Sequence, residues 1–437
     1  MASRAMKDSG VEWIGKIPKE WNIKKMSLLA DRITDYVASG SFASLKKNVN
    51  YLSRPDYAML IRTVDLSGSS NKQPVYVDKS AYEFLSNSNL FGGELVLSNI
   101  GSVGNVYMYT PMYKRATLAP NSIMVNMKGE NRFYYYWFLN PIVNETLKLI
   151  GSDSVQTKFN KTQLRAFKVV EPPFEEQQKI ATFLDEKVSH VDSIIEDTKK
   201  SIENLKAYKQ SLITETVTKG LDPNVEMKDS GIEWIGEFPF HWERTRIKNM
   251  ASIGSGSTPK SSNEDYYNGN INWIQSGDLY QKKYIEDTSR KITNKAIKEV
   301  SALKFYDAPF ITIALYGASI GNVSISKIDS TVNQAVAVIE PNNISIDYLF
   351  YLLTASKSGF LSLSVGGTQP NISQTIISNW IVPYPPMDEQ NRIVEFLDVK
   401  TTQIDNLIDK KEQIITEIEA YKKSLIYEYV TGKKEVK

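Results

Sequence analysis

The sequence has no cysteine and only two histidines, His190 and His241, in 437 residues. The first absence excludes disulfides and thiolate metal sites. The second leaves no histidine-based zinc cluster without many carboxylates. No apolar run nears the ~18 residues a membrane span needs. The beginning, Met1-Ala2-Ser3-Arg4-Ala5, leads into polar residues with no apolar stretch of the secretory kind. A cytoplasmic protein is therefore expected, with Met6 read as the natural start. A large charge of one sign is also lacking: 52 Lys and Arg against 50 Asp and Glu give +2. Only local clustering of charge would point to nucleic acid.

What is present is a repeat. Lys7-Asp8-Ser9-Gly10-Val11-Glu12-Trp13-Ile14-Gly15 returns 221 residues later as Lys228-Asp229-Ser230-Gly231-Ile232-Glu233-Trp234-Ile235-Gly236. Pro18 and Trp21 of this lead-in motif return as Pro239 and Trp242, and the motif is read as an extended, aromatic-anchored segment. Pro172-Pro173-Phe174-Glu175-Glu176-Gln177-Gln178 returns as Pro385-Pro386-Met387-Asp388-Glu389-Gln390. The plan is a lead-in motif, a variable region and a Pro-Pro helix, used twice. It divides the chain into 1–21, 22–171, 172–219, 220–242, 243–384 and 385–431. With 41% apolar residues and this length, two or three domains with real cores are expected.

The first variable region alternates short β-like runs with Gly, Asn and Pro: residues 57–62, 94–98, 103–109 and 122–127. Residues 133–139 read as a short aromatic helix. The second region repeats the skeleton. Ile61 to Leu66 lines up with Ile274 to Leu279, and Ser102-Val103-Gly104-Asn105 with Ser319-Ile320-Gly321-Asn322. Tyr135 to Leu139 lines up with Tyr348 to Leu352, and Gln156 to Asn160 with Gln369 to Ser373. Two α/β domains of one fold with divergent loops are what binders of different targets require. Each region ends in a helix with apolar residues near a 3.5 repeat: Val188, Val191, Ile195, Ile202, Leu205 and Leu212, then Ile404, Ile408, Ile415, Ile418 and Leu425. Each would run ~44 residues, or ~65 Å. Such a stripe needs a partner. The reading is an antiparallel intramolecular coiled coil; pairing in trans, giving a dimer, is the alternative.

Motifs for chemistry fail. Glu171-Pro172-Pro173-Phe174 has the outline of the adenine-binding motif of N6-adenine methyltransferases, but a glutamate stands first, its copy is Tyr384-Pro385-Pro386-Met387, and no cofactor strand-turn-helix precedes either. A Pro-Pro helix start with acidic residues in the first turn accounts for both. The Gly-containing turns at 101–105 and 318–322 lack the end of a nucleotide-binding P-loop; phosphate approach and a plain hairpin turn fit them equally. Lysine and arginine are denser in the first variable region than in the second, including Lys24, Lys46, Lys47, Arg54, Lys158, Lys161 and Arg165 in the first and Arg244, Arg246, Lys282, Lys283 and Arg290 in the second, while the helices carry an acidic or balanced surface.

The combination resembles the specificity subunit of type I restriction-modification systems. The residues that carry it are Gly231 to Trp242, Gly256-Ser257-Thr258-Pro259, Ile274 to Leu279, Asn333-Gln334, Gly366 to Ser373 and the two Pro-Pro helix starts. The first region departs: it lacks the Gly-Ser-Thr-Pro segment, and Ala119-Pro120 stands where Asn333-Gln334 would be. The resemblance implies two α/β (α+β) target-recognition domains in tandem, separated by long antiparallel helices, with pseudo-two-fold symmetry. Each domain would read one half of a split, asymmetric site in double-stranded DNA. Expected DNA contacts are Arg62, Asn99, Ser102, Asn105, Gln156, Lys158 and Asn160, and Gln275, Tyr316, Ser319, Asn322, Gln369 and Asn371. Expected docking residues for two modification subunits are Trp13, Trp21, Gln177, Gln178, Trp234, Trp242, Glu389 and Gln390. The chain would be non-catalytic. S-adenosylmethionine would sit in the modification subunits, and ATP with Mg in two restriction subunits. A stand-alone DNA-binding or scaffold protein dimerising through its helices is the second reading.

Overall fold

The computed structural model describes residues 4–68, 72–150, 158–279, 283–363 and 371–436. The chain divides into two compact units. One is Met1–Thr198 with Glu412–Lys437, the other Lys199–Lys411. Each long helix therefore contributes to both. Gln156, Lys282 and Gln369 lie outside the described residues.

In the first unit the lead-in motif is a hairpin, Met6–Asp8 against Lys16–Pro18. The chain then forms Asn22–Lys25, which pairs antiparallel with Lys168–Glu171, the strand directly before the Pro-Pro helix. The variable region is thereby closed at its base. Inside it lies an antiparallel sheet in the order Ala30–Asp35, Ser122–Met127, Leu95–Ser98, Val106–Met108. A mixed sheet follows, Tyr76–Val77, Ala58–Ile61, Ala116–Leu118, Asn89–Leu90, with Ala116–Leu118 parallel to Ala58–Ile61. The four expected β runs are strands; the third begins only at Val106, because Val103 to Asn105 belong to the glycine turn.

The second unit repeats this. Met227–Asp229 pairs with Glu237–Pro239, and Glu243–Arg246 closes against Ile381–Tyr384. The main sheet runs Ala251–Ser255, Val336–Pro341, Phe310–Ala314, Val323–Ser326, Tyr284–Ile285. A three-stranded sheet holds Tyr267–Ile274 between Lys291–Ile292 and Thr331–Val332.

The central helix is Phe174–Lys219 and the C-terminal helix Met387–Val430, 46 and 44 residues. Within the first unit their segments run antiparallel: Phe183 packs on Tyr429 at 4.5 Å between ring centroids, and Asp192 takes the Lys422 ammonium at 2.6 Å. Within the second, Lys209 and Asp405 pair at 2.6 Å. These are the same two positions of the repeat, with the partners exchanged. Val188, Val191, Ile195, Ile202, Ile404, Ile408 and Leu425 of the expected stripe are buried. The ends are fastened alike. Gly220 follows the central helix and lies against Trp242 and Pro239; Gly432 follows the C-terminal helix and lies against Pro18 and Trp21. A Cβ on Gly432 would come 2.4 Å from Pro18 Cγ.

Among the described residues no helix is long and apolar enough to cross a membrane, and no group of three or more His, Asp and Glu is placed to hold a metal ion.

Candidate nucleic-acid interface

The helix starts act as clamps. Gln177 accepts the Glu130 N–H at 3.0 Å and donates to the Pro172 carbonyl at 2.8 Å. Gln390 accepts from Ser345 N–H at 2.9 Å and donates to Pro385 O at 2.9 Å. Trp21 donates its indole N–H to Glu176 at 2.8 Å, and Trp242 to Glu389 at 3.0 Å. Both tryptophans are fully buried, and Gln177 and Gln390 nearly so. Trp13 stacks on Phe167 at 5.2 Å; Trp234 stacks on Trp380 at 5.6 Å and donates to Ile381 O. Glu389 also meets His241 at 2.6 Å. Seven of the eight expected docking residues thus bind the chain's own scaffold, and Gln178 is exposed.

This clamp corrects one alignment. Because Gln177 and Gln390 fix Glu130 and Ser345 as equivalent, Phe133 corresponds to Tyr348 and Tyr136 to Tyr351; the sequence line-up was two residues out. A run of aromatics carries no internal landmark. The corrected register explains a shared acceptor: Tyr136 donates to Asp185 at 2.8 Å and Tyr351 to Asp398 at 2.5 Å. Arg132 adds an ion pair to Asp185 and Lys283 one to Asp398. Burial works against the charge of Lys283, but Asp347 and Asp398 raise its pKa well above the usual lysine value. Lys283 is thereby committed to an internal network.

The glycine turns sit at the end of the central strands. In the first, Gly104 N–H returns to Ser98 O and Asn105 N–H to Ser102 O. In the second, Gly321 N–H returns to Ala314 O and Asn322 N–H to Ser319 O. Gly101, Gly104, Gly317 and Gly321 all have φ between 74° and 88°, a region glycine adopts without strain. The second turn is one residue longer. Ile100 bridges Lys158 and Tyr316 bridges Asn371, so Tyr316 stands where Ile100 does.

The expected contact residues divide accordingly. Ser102, Asn105, Lys158 and Asn371 are exposed beside the turns, and Tyr316 and Asn322 are half-buried. Asn105 donates to the Tyr107 hydroxyl at 3.3 Å. Ser319 is buried. Asn99 donates to Phe159 O at 3.0 Å, and its Oδ1 is buried with no partner among the described residues. Asn160 caps the helix Lys161–Ala166, as Ser373 caps Gln374–Asn379. Arg62 is held by Asp65 through two side-chain bonds, which raises its pKa, and also donates to Gln73 O. Gln275 is its equivalent: each backbone N–H donates to an Asp three residues on, at 2.9 and 2.8 Å. Gln275 Nε2 is buried and without a partner among the described residues.

Sequence reasoning missed Asn144 and Lys357, which back the two turns. Asn144 Nδ2 donates to Gly104 O, and Lys357 Nζ to Asn322 Oδ1 at 2.7 Å. No spacing within either segment marks them, because each acts on a turn about 35–40 residues earlier in the chain.

Two tandem α/β domains, each closed at its base and fastened to a long helix, define a duplicated recognition protein. The type I restriction modification DNA specificity domain family matches residues 30–204 and again 239–420. The chain belongs to that family: it is a type I restriction-modification specificity subunit, of a non-catalytic kind. It is 27% identical over 439 residues to a protein of Methanocaldococcus jannaschii named as the type I restriction enzyme MjaX specificity subunit, covering 97% of this chain and 96% of that one. It is 27% identical over 218 residues to the Escherichia coli EcoR124I/EcoR124II specificity subunit, covering 48% and 49%. Among solved structures, one from a study of type I R-M complex assembly and conformational transition matches with TM-score 0.69 at 14% identity, covering 95% and 98%. The HsdS subunit of Thermoanaerobacter tengcongensis matches with TM-score 0.51 at 14% identity, covering 96% and 98%. At such identity the likeness is one of fold.

Proposed function

We propose that this chain gives a type I complex its DNA address. Each domain reads one half of a split asymmetric site, while the helices dock two modification subunits and set the unread spacer. S-adenosylmethionine then belongs to the modification subunits, and ATP with Mg2+ to two restriction subunits. The complex works in the cytoplasm, where it meets foreign DNA.

The observation that carries the docking reading is a duplicated exposed surface. In the first unit Phe174, Ile194 and Tyr421 lie on the helices; in the second their repeat equivalents Met387, Leu407 and Tyr208 do. All six are between 37% and 58% exposed. Large apolar side chains held open at matching positions suit two copies of one partner. Docking is therefore assigned to these residues and Gln178, with the buried tryptophans and glutamines shaping the helix starts beneath. The alternative of helix dimerisation in trans is disfavoured, because the apolar stripe already packs within the chain.

The test is an exchange. Replacing residues 22–171 with the corresponding domain of another family member should change one half of the methylated motif and leave the other intact, as read by methylome sequencing. A change in both halves would refute independent reading.

A further inference from the structure

Two positions beside each glycine turn carry the same pair of residue types, interchanged. The residue bridged to the strand end is Lys158 in the first domain and Asn371 in the second; the residue beneath the turn is Asn144 in the first and Lys357 in the second. Both pairs are 213 residues apart. Each turn thus has one lysine and one asparagine, at interchanged positions.

Neither lysine has a carboxylate partner among the described residues. Lys158 is exposed. Lys357 is half-buried, and burial lowers its pKa. Its carbon chain lies under Gly321, where an added Cβ would come 3.0 Å from Lys357 Cγ. Its ammonium donates to a neutral amide oxygen and has no other hydrogen-bond partner among the described residues. A half-buried cation without a counter-charge is unfavourable unless an anion completes it. Around it, the amides of Ala318 and Ser319 make no hydrogen bond among the described residues, nor do those of Ser102 and Val103 in the other turn. Unpaired amides of a glycine turn beside a lysine suit a phosphate oxygen.

We propose that each glycine turn grips one backbone phosphate of the bound DNA, with the charge supplied by Lys158 in the first domain and by Lys357 in the second. This positions each domain on its half-site without reading bases, and it rests on the reading of the domains as DNA readers.

The experiment uses the full chain assembled with its modification subunits and a duplex carrying its own methylated site. Affinity is measured from about 50 to about 200 mM salt, where each neutralised phosphate contributes about 0.9 to the log–log slope. Lys357→Asn installs the residue that the first domain carries. It should reduce the slope by about one, so that affinity falls about 3–4-fold less across that range, with the methylated motif unchanged. Adding Asn371→Lys, which recreates the first domain's arrangement, should restore the slope. An unchanged slope in the single variant, no recovery in the double, or an altered motif overturns the proposal. If Lys357→Asn does not assemble, Lys158→Asn at the exposed position of the first domain decides: the slope must fall by about one, and an unchanged slope sinks the idea. Failure of the unsubstituted complex to bind its site would instead remove the DNA reading itself.

Discussion

Gln177 and Gln390 show how one side chain can hold a helix start. Each is buried, and each satisfies a backbone N–H and a backbone carbonyl that would otherwise be orphaned. Gln177→Ala and Gln390→Ala should therefore each destabilise their unit by about 1–3 kcal/mol. Gln178→Ala, one residue along and exposed, should stay within about 0.5 kcal/mol; thermal melting of the three variants checks the contrast. Glu130 offers a test by pH. The Arg132 guanidinium bonded to it holds its carboxyl below the ordinary value of 4.5. A depressed folded pKa stabilises above the unfolded value and is lost as pH falls through the folded one. The first unit should therefore lose stability below about pH 4.5, and Glu130→Gln should flatten the melting temperature between about pH 6 and about pH 3. The glutamines were legible as a repeated motif, but their work was not. The sequence places Gln177 beside Gln178 as equals, and only the turn of the helix decides which one faces the core.

At the scale of elements, the helix ends are the sharpest constraint. Gly220 and Gly432 both have positive φ, where a Cβ costs about 1–2 kcal/mol. An added Cβ would also meet its neighbour sooner at Gly432, 2.4 Å from Pro18 Cγ, than at Gly220, 3.1 Å from Trp242 Cζ2. Gly432→Ala should loosen its helix end more than Gly220→Ala does. Hydrogen exchange of the amides just before each glycine should show the larger rise at Val430 and Thr431. Equal rises would mean that the close approach to Pro18 does not matter. The helices themselves were readable, since a 3.5 repeat and a Pro-Pro start survive any context. The aromatic helix was read two residues out of register, because its equivalence is fixed by a hydrogen bond from outside it.

For the whole molecule, the proposed spacer role makes a quantitative demand. Four extra helical residues after Glu203 would add ~6 Å of rise and ~40° of net rotation. A base pair rises ~3.4 Å and turns ~34–36°. Rise alone asks for nearly two more base pairs and rotation for one. Rotation should dominate, because a domain turned away from the groove makes no base contacts, whereas DNA bending absorbs a few ångströms at modest cost. The methylated motif should therefore gain one base pair of spacer, or two if rise prevails, with both half-sites intact. Methylome sequencing of an active insertion variant reads this directly, and an unchanged spacer would end the idea that helix length sets the distance.

The sequence by itself determined the duplication, the two long helices, the strands on which the glycine turns sit and the family to which they belong. These follow from periodicity and motif spacing, which are local or one-dimensional. Only the tertiary structure decided which polar residues face outward. Arg62 is held by Asp65, Asn160 caps a helix, Asn99 ties two loops, and Trp21 and Trp242 are core. Lys357 emerged as the cation beneath the second turn because a helix far along the chain delivers it there. A hydrogen bond between residues 35 apart depends on how strands and helices pack, and no composition or spacing within either segment encodes it.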